Sequence, residues 1–167
     1  METRDLILDK ACFKDWADLY RNVWSRPETA RYMLWIVTDS EEAARARMER
    51  TIAWQSGHDV WTVYEKSGGR AIGWAGLAEL SPGVWQETGI ALGPDFVGRG
   101  YGRQILELLM DIARERGGTE FRCSAWSENT ASHALIRSRG FTLAGTEQKV
   151  DPRDDTPYIL ENYGRPL

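Results

Sequence analysis

The stretch GPDFVGRGYGRQILELLMDIARERGG, Gly93 to Gly118, places three glycines at alternate positions, Gly98, Gly100 and Gly102, directly before an apolar-periodic run. Ile105, Leu106, Leu109, Ile112 and Ala113 recur at the three-and-four spacing of a broad helix face, which Arg114, Arg116 and Gly117 close. Trp85 to Leu92 alternates as a strand just upstream, and TEFRCSAW, Thr119 to Trp126, reads as another downstream. Strand, glycine-rich turn, helix, strand is a βαβ unit, and it requires its two strands to be parallel.

The period changes on either side of this unit. Upstream, Val60 to Glu65 and Arg70 to Leu80 read as a hairpin across a Ser-Gly-Gly turn, with a short first strand at Arg4 to Asp9. Between them the spacing predicts three helices. Phe13, Trp16, Leu19, Tyr20 and Val23 mark one face of the first, and Pro27 and Glu28 open a short second. The third runs from an Asp39 or Ser40 cap to Gly57, with Ala44, Met48 and Ile52 inward. Downstream, SENTASHALIRSRGF predicts a helix capped by Ser127 or Asn129, with Ala131, Ala134, Leu135 and Ser138 among its packed positions. Gly140 fits its C′ site, with Phe141 packing back on Ile136. Strands near Thr142 to Val150 and Tyr158 to Tyr163 flank DPRDDTP, read as a solvated turn. The expectation is one α+β domain over 1–167, a mixed and mostly antiparallel sheet with a single parallel βαβ crossover.

Composition narrows the function. Formal charge is −4 with acids and bases interspersed, so no basic stripe invites nucleic acid. The longest apolar run, Tyr32 to Val37, is far below the ~20 residues of a membrane span, and the N-terminus lacks a signal-peptide core. A soluble, cytoplasmic protein is expected. Cys12 and Cys123 are far apart and only 2 histidines are present, so no metal site is expected and both cysteines read as buried small hydrophobes.

The glycines have two readings: a tight turn, or a loop through which a phosphate reaches the unpaired N–H groups of a helix N-terminus. No Lys-Ser or Lys-Thr follows, which excludes a P-loop. The spacing is not GxGxxG and no acid-ended strand lies ~20 residues on, so a dinucleotide site fits poorly.

VGRGYG after ETGIALGPDF resembles the acetyl-CoA motif of the GNAT N-acetyltransferases, Gln/Arg-x-x-Gly-x-Gly/Ala, with Gly100 and Gly102 matching and Val97 where Gln or Arg is usual. RDLIL, NVWSRPETARYMLW, IGWAGL and SENTASHALIRSRGF follow in the order of the branch that acetylates ribosomal-protein N-termini, the RimJ/RimL-like proteins. The resemblance implies that N–H groups across Val97, Gly98, Arg99, Gly100, Tyr101, Gly102 and Arg103 hold the CoA pyrophosphate, with Arg99 and Arg103 adding charge. It also implies that the strand ending at Leu92 splays from the one after Thr119, opening a slot faced by Ile90, Ala91 and Leu92. The Leu92 N–H would then be an oxyanion donor.

By the same resemblance Glu87 is the candidate base, Ser132 lies near the sulfur, and Asn129 caps its helix, holds pantetheine, or both. The tyrosine many relatives use as acid is absent; Ile136 stands there. Direct attack by a neutral amine needs no covalent enzyme intermediate, which suits a chain without Cys-His or Ser-His pairing. Trp24, Tyr32, Trp35 and Tyr158 are candidates for the acceptor cleft, with core packing the favoured reading for any one of them. The acceptor is left open among a peptide N-terminus, a polyamine and another small amine, with a homodimer allowed. The rival readings are a non-catalytic acyl-CoA-binding module and, third, a nucleotide-binding domain.

Overall fold

A computed structural model describes residues 1–167. Seven strands form one sheet in the order β1-β2-β3-β4-β5-β7-β6. They are β1 Leu6–Asp9, β2 Val60–Glu65, β3 Arg70–Ser81, β4 Val84–Leu92, β5 Glu120–Trp126, β6 Thr142–Val150 and β7 Pro157–Pro166. Every pairing is antiparallel except β4 with β5, which are joined by helix α4, Tyr101–Glu115. This is the mixed sheet with one parallel crossover that the period changes predict.

The parallel contact is short. It spans Val84↔Glu120, Trp85↔Phe121 and Gln86↔Arg122, and there the two strands part. The cause lies on the other edge of β4. Gly76 of β3 faces Gly89 and Leu77 faces Glu87, so Thr88 is an extra residue in the ladder. A bulge bends its strand and sharpens the local twist, here immediately after the last β4–β5 pair. β5 turns instead to β7, with which it pairs from Glu120 to Trp126.

α4 buries Ile105, Leu106, Leu109, Ile112 and Ala113, the predicted face, in a core of 22 residues shared with Leu6, Leu8, Val63, Ile72, Phe121 and Phe141. Helix α5, Thr130–Ser138, packs on the same core. Its inward phase differs from the expectation: His133 and Ile136 are buried, whereas Ala131, Ala134 and Ser138 are exposed. Polar anchors set this phase. His133 Nε2 lies 3.0 Å from the Trp126 carbonyl oxygen and Nδ1 3.0 Å from the Tyr163 hydroxyl. Past the helix, Phe141 N–H bonds the Ile136 carbonyl at 3.4 Å and Gly140 N–H that of Arg137 at 3.0 Å, a Schellman closure.

A smaller core of Leu19, Val23, Trp24, Ala44, Met48 and Ala71 lies under the N-terminal helices. The expected first helix is a 3₁₀ turn at Phe13–Asp15, one α turn α1 at Trp16–Leu19 and a wide π turn at Tyr20–Trp24, with Phe13 exposed. Contacts to the sheet shape it: Tyr64 donates to Asp15 Oδ2 at 2.6 Å, and Asn22 Nδ2 to the Ala71 carbonyl at 2.9 Å. α2 is Pro27–Ala30 and α3 is Glu41–Gly57, capped by Ser40, whose Oγ accepts from Ala43 N–H. Cys123 is buried, but Cys12 is exposed, with Sγ 3.2 Å from Asp15 Oδ2, contrary to its reading as a core residue. No helix is long and apolar enough to cross a membrane.

The bulge gives a direct test. A Cβ on Gly76 would fall 2.2 Å from Thr88 Oγ1 and 3.0 Å from Val60 Cγ2. Gly76→Ala should destabilise the protein by about 1–3 kcal/mol, and adding Thr88→Ala should recover part of that loss in denaturant melts.

Candidate functional site

The parting of β4 from β5 opens a cleft of ≈ 710 Å³. Its walls are β4 from Gln86 to Leu92, β5 from Cys123 to Trp126, the loop leading into α4, the first turns of α4 and α5, and the segment Tyr32–Leu34. Of the residues singled out from the sequence, Glu87, Ile90, Ala91, Leu92, Val97, Gly98, Gly100, Tyr101, Gly102, Arg103, Asn129 and Ser132 all line it. Arg99 does not.

The loop into α4 explains the glycines. Gly98 and Gly100 have φ of 76° and 78°, a region that costs a side-chain-bearing residue about 1–2 kcal/mol. Nothing lies within 4 Å of a Cβ built on either, so conformation and not space selects them. Gly102 is already helical, and its Cβ would only touch Leu135 at 3.4 Å. The outcome of this geometry is a row of backbone N–H groups, Gly98 to Arg103, none of which donates to a protein acceptor. They sit at the positive end of a 15-residue helix with no side-chain cap.

A buried carboxylate holds the loop. Glu65, whose side chain is only 3% exposed, accepts from Tyr101 Oη at 2.8 Å, Arg99 Nη1 at 3.1 Å and Arg70 Nη2 at 2.7 Å. Arg70 foremost, and then Tyr101 and Arg99, keep its pKa below the ordinary glutamate value against the opposing effect of burial. Arg99 is thus committed to Glu65 and stacks over Phe96, while Arg103 pairs with Glu107 at 3.1 Å. Glu65 was not among the sequence-derived candidates, because its partners lie in the next strand and in the loop before α4.

Along β4, Gly93 N–H bonds the Ile72 carbonyl at 2.9 Å. Antiparallel alternation therefore turns the N–H and C=O of Leu92 and Ile90 away from β3 and into the gap. The Leu92 carbonyl is met there by Thr29 Oγ1 at 3.5 Å.

Glu87 sits where the strands part. Desolvation of its carboxyl pushes the pKa up to about 7, outweighing hydrogen bonds from the backbone of Ser124 and Gly89. Its outer edge is open to the cleft, so it is half-buried as a residue while its charge is poorly solvated. In the first turn of α5, Asn129 Oδ1 accepts from Ser132 N–H at 3.1 Å, leaving its Nδ2 unpaired. The hydroxyls of Ser56 and Ser138 bond back into their own helices at 2.7 Å; that of Ser132 makes no such bond.

The aromatic residues divide between two places. Tyr32 and Tyr158 line the cleft with Trp126, which stacks on Tyr158 at 3.7 Å and meets Tyr32 edge-on at 5.8 Å. Trp24 and Trp35, candidates for the same wall, line a separate cavity on the α3 side instead, and Trp24 is buried in the smaller core. The DPRDDTP turn is solvated from Asp154 to Pro157, as expected, but its first residue is not. Asp151 is buried against Arg153 (2.5 Å), and Arg153 donates to the carbonyls of Ala30, Arg31 and Trp35 at 2.9, 3.1 and 3.3 Å. This arginine fastens the β6–β7 hairpin to the loop that carries Tyr32, where Leu34 sits at a φ of 56°.

Residues 5–142 match the family described as "Acetyltransferase (GNAT) domain". A curated relative, the N-alpha-acetyltransferase RimI of Mycobacterium tuberculosis, is 36% identical over 90 residues, which cover 52% of this chain and 55% of that protein. The chain thus spans about half the length of that relative. Among solved structures, a GNAT-family acetyltransferase from Bacillus anthracis superposes with a TM-score of 0.83 at 17% identity, covering 99% of this chain and 97% of that one. RimL, a ribosomal-protein alpha-N-acetyltransferase solved in complex with coenzyme A, gives 0.79 at 22% identity, with 99% and 96% covered. At these identities the structural likeness is one of fold.

Glu65→Ala should cost about 1–3 kcal/mol, since it strips the Tyr101 hydroxyl of its acceptor. The depressed Glu65 pKa contributes stability present above the unfolded value of 4.5 and lost as pH falls through the folded one. Acid melts of the wild type should show this loss, and those of Glu65→Ala should lack it.

Proposed function

The chain belongs to the GNAT acetyltransferase family, and from that premise we propose that residues 1–167 form a single N-acetyltransferase domain moving an acetyl group from acetyl-CoA to a primary amine. The observation that carries the reading is the alignment of three features on one cleft: the unpaired N–H row from Gly98 to Arg103, the gap-facing N–H groups of β4, and a carboxyl poised near neutrality.

The N–H row fits a pyrophosphate, because a helix N-terminus presents both donors and a partial positive charge to it. Val97 borders the row and Arg103 ends it, whereas Arg99 acts through Glu65, bracing the loop instead of meeting phosphate. The pantetheine arm would run along Ile90, Ala91 and Leu92 with Asn129 Nδ2 as a side-chain donor. Acetyl-CoA supplies an activated acyl group as a thioester. The Leu92 N–H is placed to polarise its carbonyl, an effect of the kind worth about 3–4 kcal/mol when an oxyanion donor is lost.

Glu87 is the base. An α-amine titrates near ~8 and a carboxyl near 7 is well matched to take its proton, directly or through water. Ser132, with an uncommitted hydroxyl in the first turn of α5, is the group that protonates the departing thiolate. The acceptor enters between Tyr32, Trp126 and Tyr158. RimI is an N-alpha-acetyltransferase and RimL acts on a ribosomal protein, which supports a peptide N-terminus as acceptor, within a RimJ/RimL-like branch.

Glu87→Gln should lower kcat by about 10²–10⁴-fold while acetyl-CoA affinity stays unchanged, and Ser132→Ala should lower kcat in the same way by a smaller factor. In the wild type kcat/KM should rise with pH through about 7 as the carboxylate forms, and this limb should vanish in Glu87→Gln. The sign for stability is opposite: the folded state holds the proton more tightly, so the contribution of Glu87 falls as pH rises from 4.5 to about 7. CoA release measured against amines and N-terminal peptides decides the function. Acetyl-CoA binding without transfer to any acceptor would make the chain a binding module.

A further inference from the structure

The second cavity, ≈ 330 Å³, lies between α3 and the outer face of β2 and β3. Trp24, Trp35, Trp54 and Trp74 form its walls, and Arg47 and Arg50 stand in it without a carboxylate among the lining residues. Neither arginine has an ion-pair partner anywhere in the chain, although most other arginines do.

Arg47 lies over two indoles. Its guanidinium carbon lies 4.9 Å from the ring centroids of both Trp24 and Trp35. One of its five N–H groups donates to Thr38 Oγ1 at 3.0 Å, and the others have no protein acceptor. Burial, with Arg50 adding repulsion, pulls its pKa down to about 10, a sign of a cation in want of a counter-charge. Gln55 in the floor is already satisfied, accepting from Ala11 N–H at 2.7 Å and donating to Thr62 Oγ1 at 3.2 Å, whereas the buried Trp35 Nε1–H has no acceptor.

A guanidinium whose N–H groups are mostly uncommitted is the fork that matches a planar carboxylate in bidentate fashion. Indole walls offer faces to a flat apolar body, and a phosphate, which has no such body, would leave them uncovered. We propose that this cavity binds a small carboxylate attached to a flat, apolar body, with Arg47 as its anchor and Arg50 at its mouth. The cavity is one side chain from the cleft: a Cβ on Gly89 would lie 2.6 Å from Trp74 Cη2 and 3.0 Å from Met33 Cε, both residues at that boundary. The carboxylate can therefore belong to the amine acceptor itself or to a separate acid.

Benzoate, its neutral isostere benzamide, and inorganic phosphate are the probes, read from the indole N–H resonances of the full chain. Benzoate should shift the Trp35 signal saturably, and benzamide and phosphate should not. Arg47→Gln should weaken benzoate about tenfold or more, as expected for a charged hydrogen-bonding pair. Arg50→Glu, at an exposed position, should weaken it too and serves where Arg47→Gln fails to fold. Absence of a saturable shift, equal binding of benzamide, or unchanged affinity in either folded variant overturns the proposal. This arm stands whether or not the chain transfers acetyl groups. Preferential acetylation of para-aminomethylbenzoate over benzylamine, abolished in Arg50→Glu, assigns the carboxylate to the acceptor. Benzoate binding without that preference assigns it to a separate acid.

Discussion

The separation of β4 from β5 after Gln86↔Arg122 is the constraint on which the rest of the molecule turns. Strands in the middle of a sheet ordinarily satisfy each other's backbone, and buried N–H groups are rarely left alone. Here β4 is paired on one edge only, because the extra residue at Thr88 twists it off the line of β5. The gap exposes the N–H groups of Ile90 and Leu92, and leaves Glu87 on a floor too dry to ionise readily. A structural defect in the ladder and a chemically tuned carboxyl thus share one cause.

The remaining walls are held by charges far apart in sequence. Glu65 ties Arg70, Arg99 and Tyr101 together, so the loop that turns at Gly98 and Gly100 enters α4 from a fixed direction. Across the cleft, Arg153 reaches more than a hundred residues back along the chain to three carbonyls of the Tyr32 loop. Each is a buried or half-buried ion pair that also fixes the direction of a loop, and breaking one by removing a partner leaves the other charge uncompensated. Both converge on the cleft, one bracing the α4 loop and the other the segment carrying Tyr32.

Much of the fold was legible in the residues because period is a local property. The α4 stripe, the hairpin of β2 and β3, and the parallel crossover followed from spacing, and the turn residues placed Gly140 correctly. Where the reading failed, a distant polar group had overridden the local pattern. His133 rotated α5 by bonding Trp126 and Tyr163, Asp15 and Asn22 reshaped the first helix, and Arg153 drew Asp151 out of solvent. The tryptophans divided between two cavities for the same reason, since nothing in a spacing says which face of the sheet a side chain of a neighbouring loop will meet.

By itself the sequence determined the kind of fold and where the loop turns: glycines at alternate positions before an amphipathic helix place a left-handed turn at its N-terminus, and the structure shows that no side chain caps the donors there. Tertiary structure alone decided that Arg99 braces a carboxylate, that Glu87 lies where desolvation lifts its pKa, and that Arg47 has none to pair with. Those properties depend on which charges share a low-dielectric space, and such proximity is set by the packing of strands and helices, not by separation along the chain.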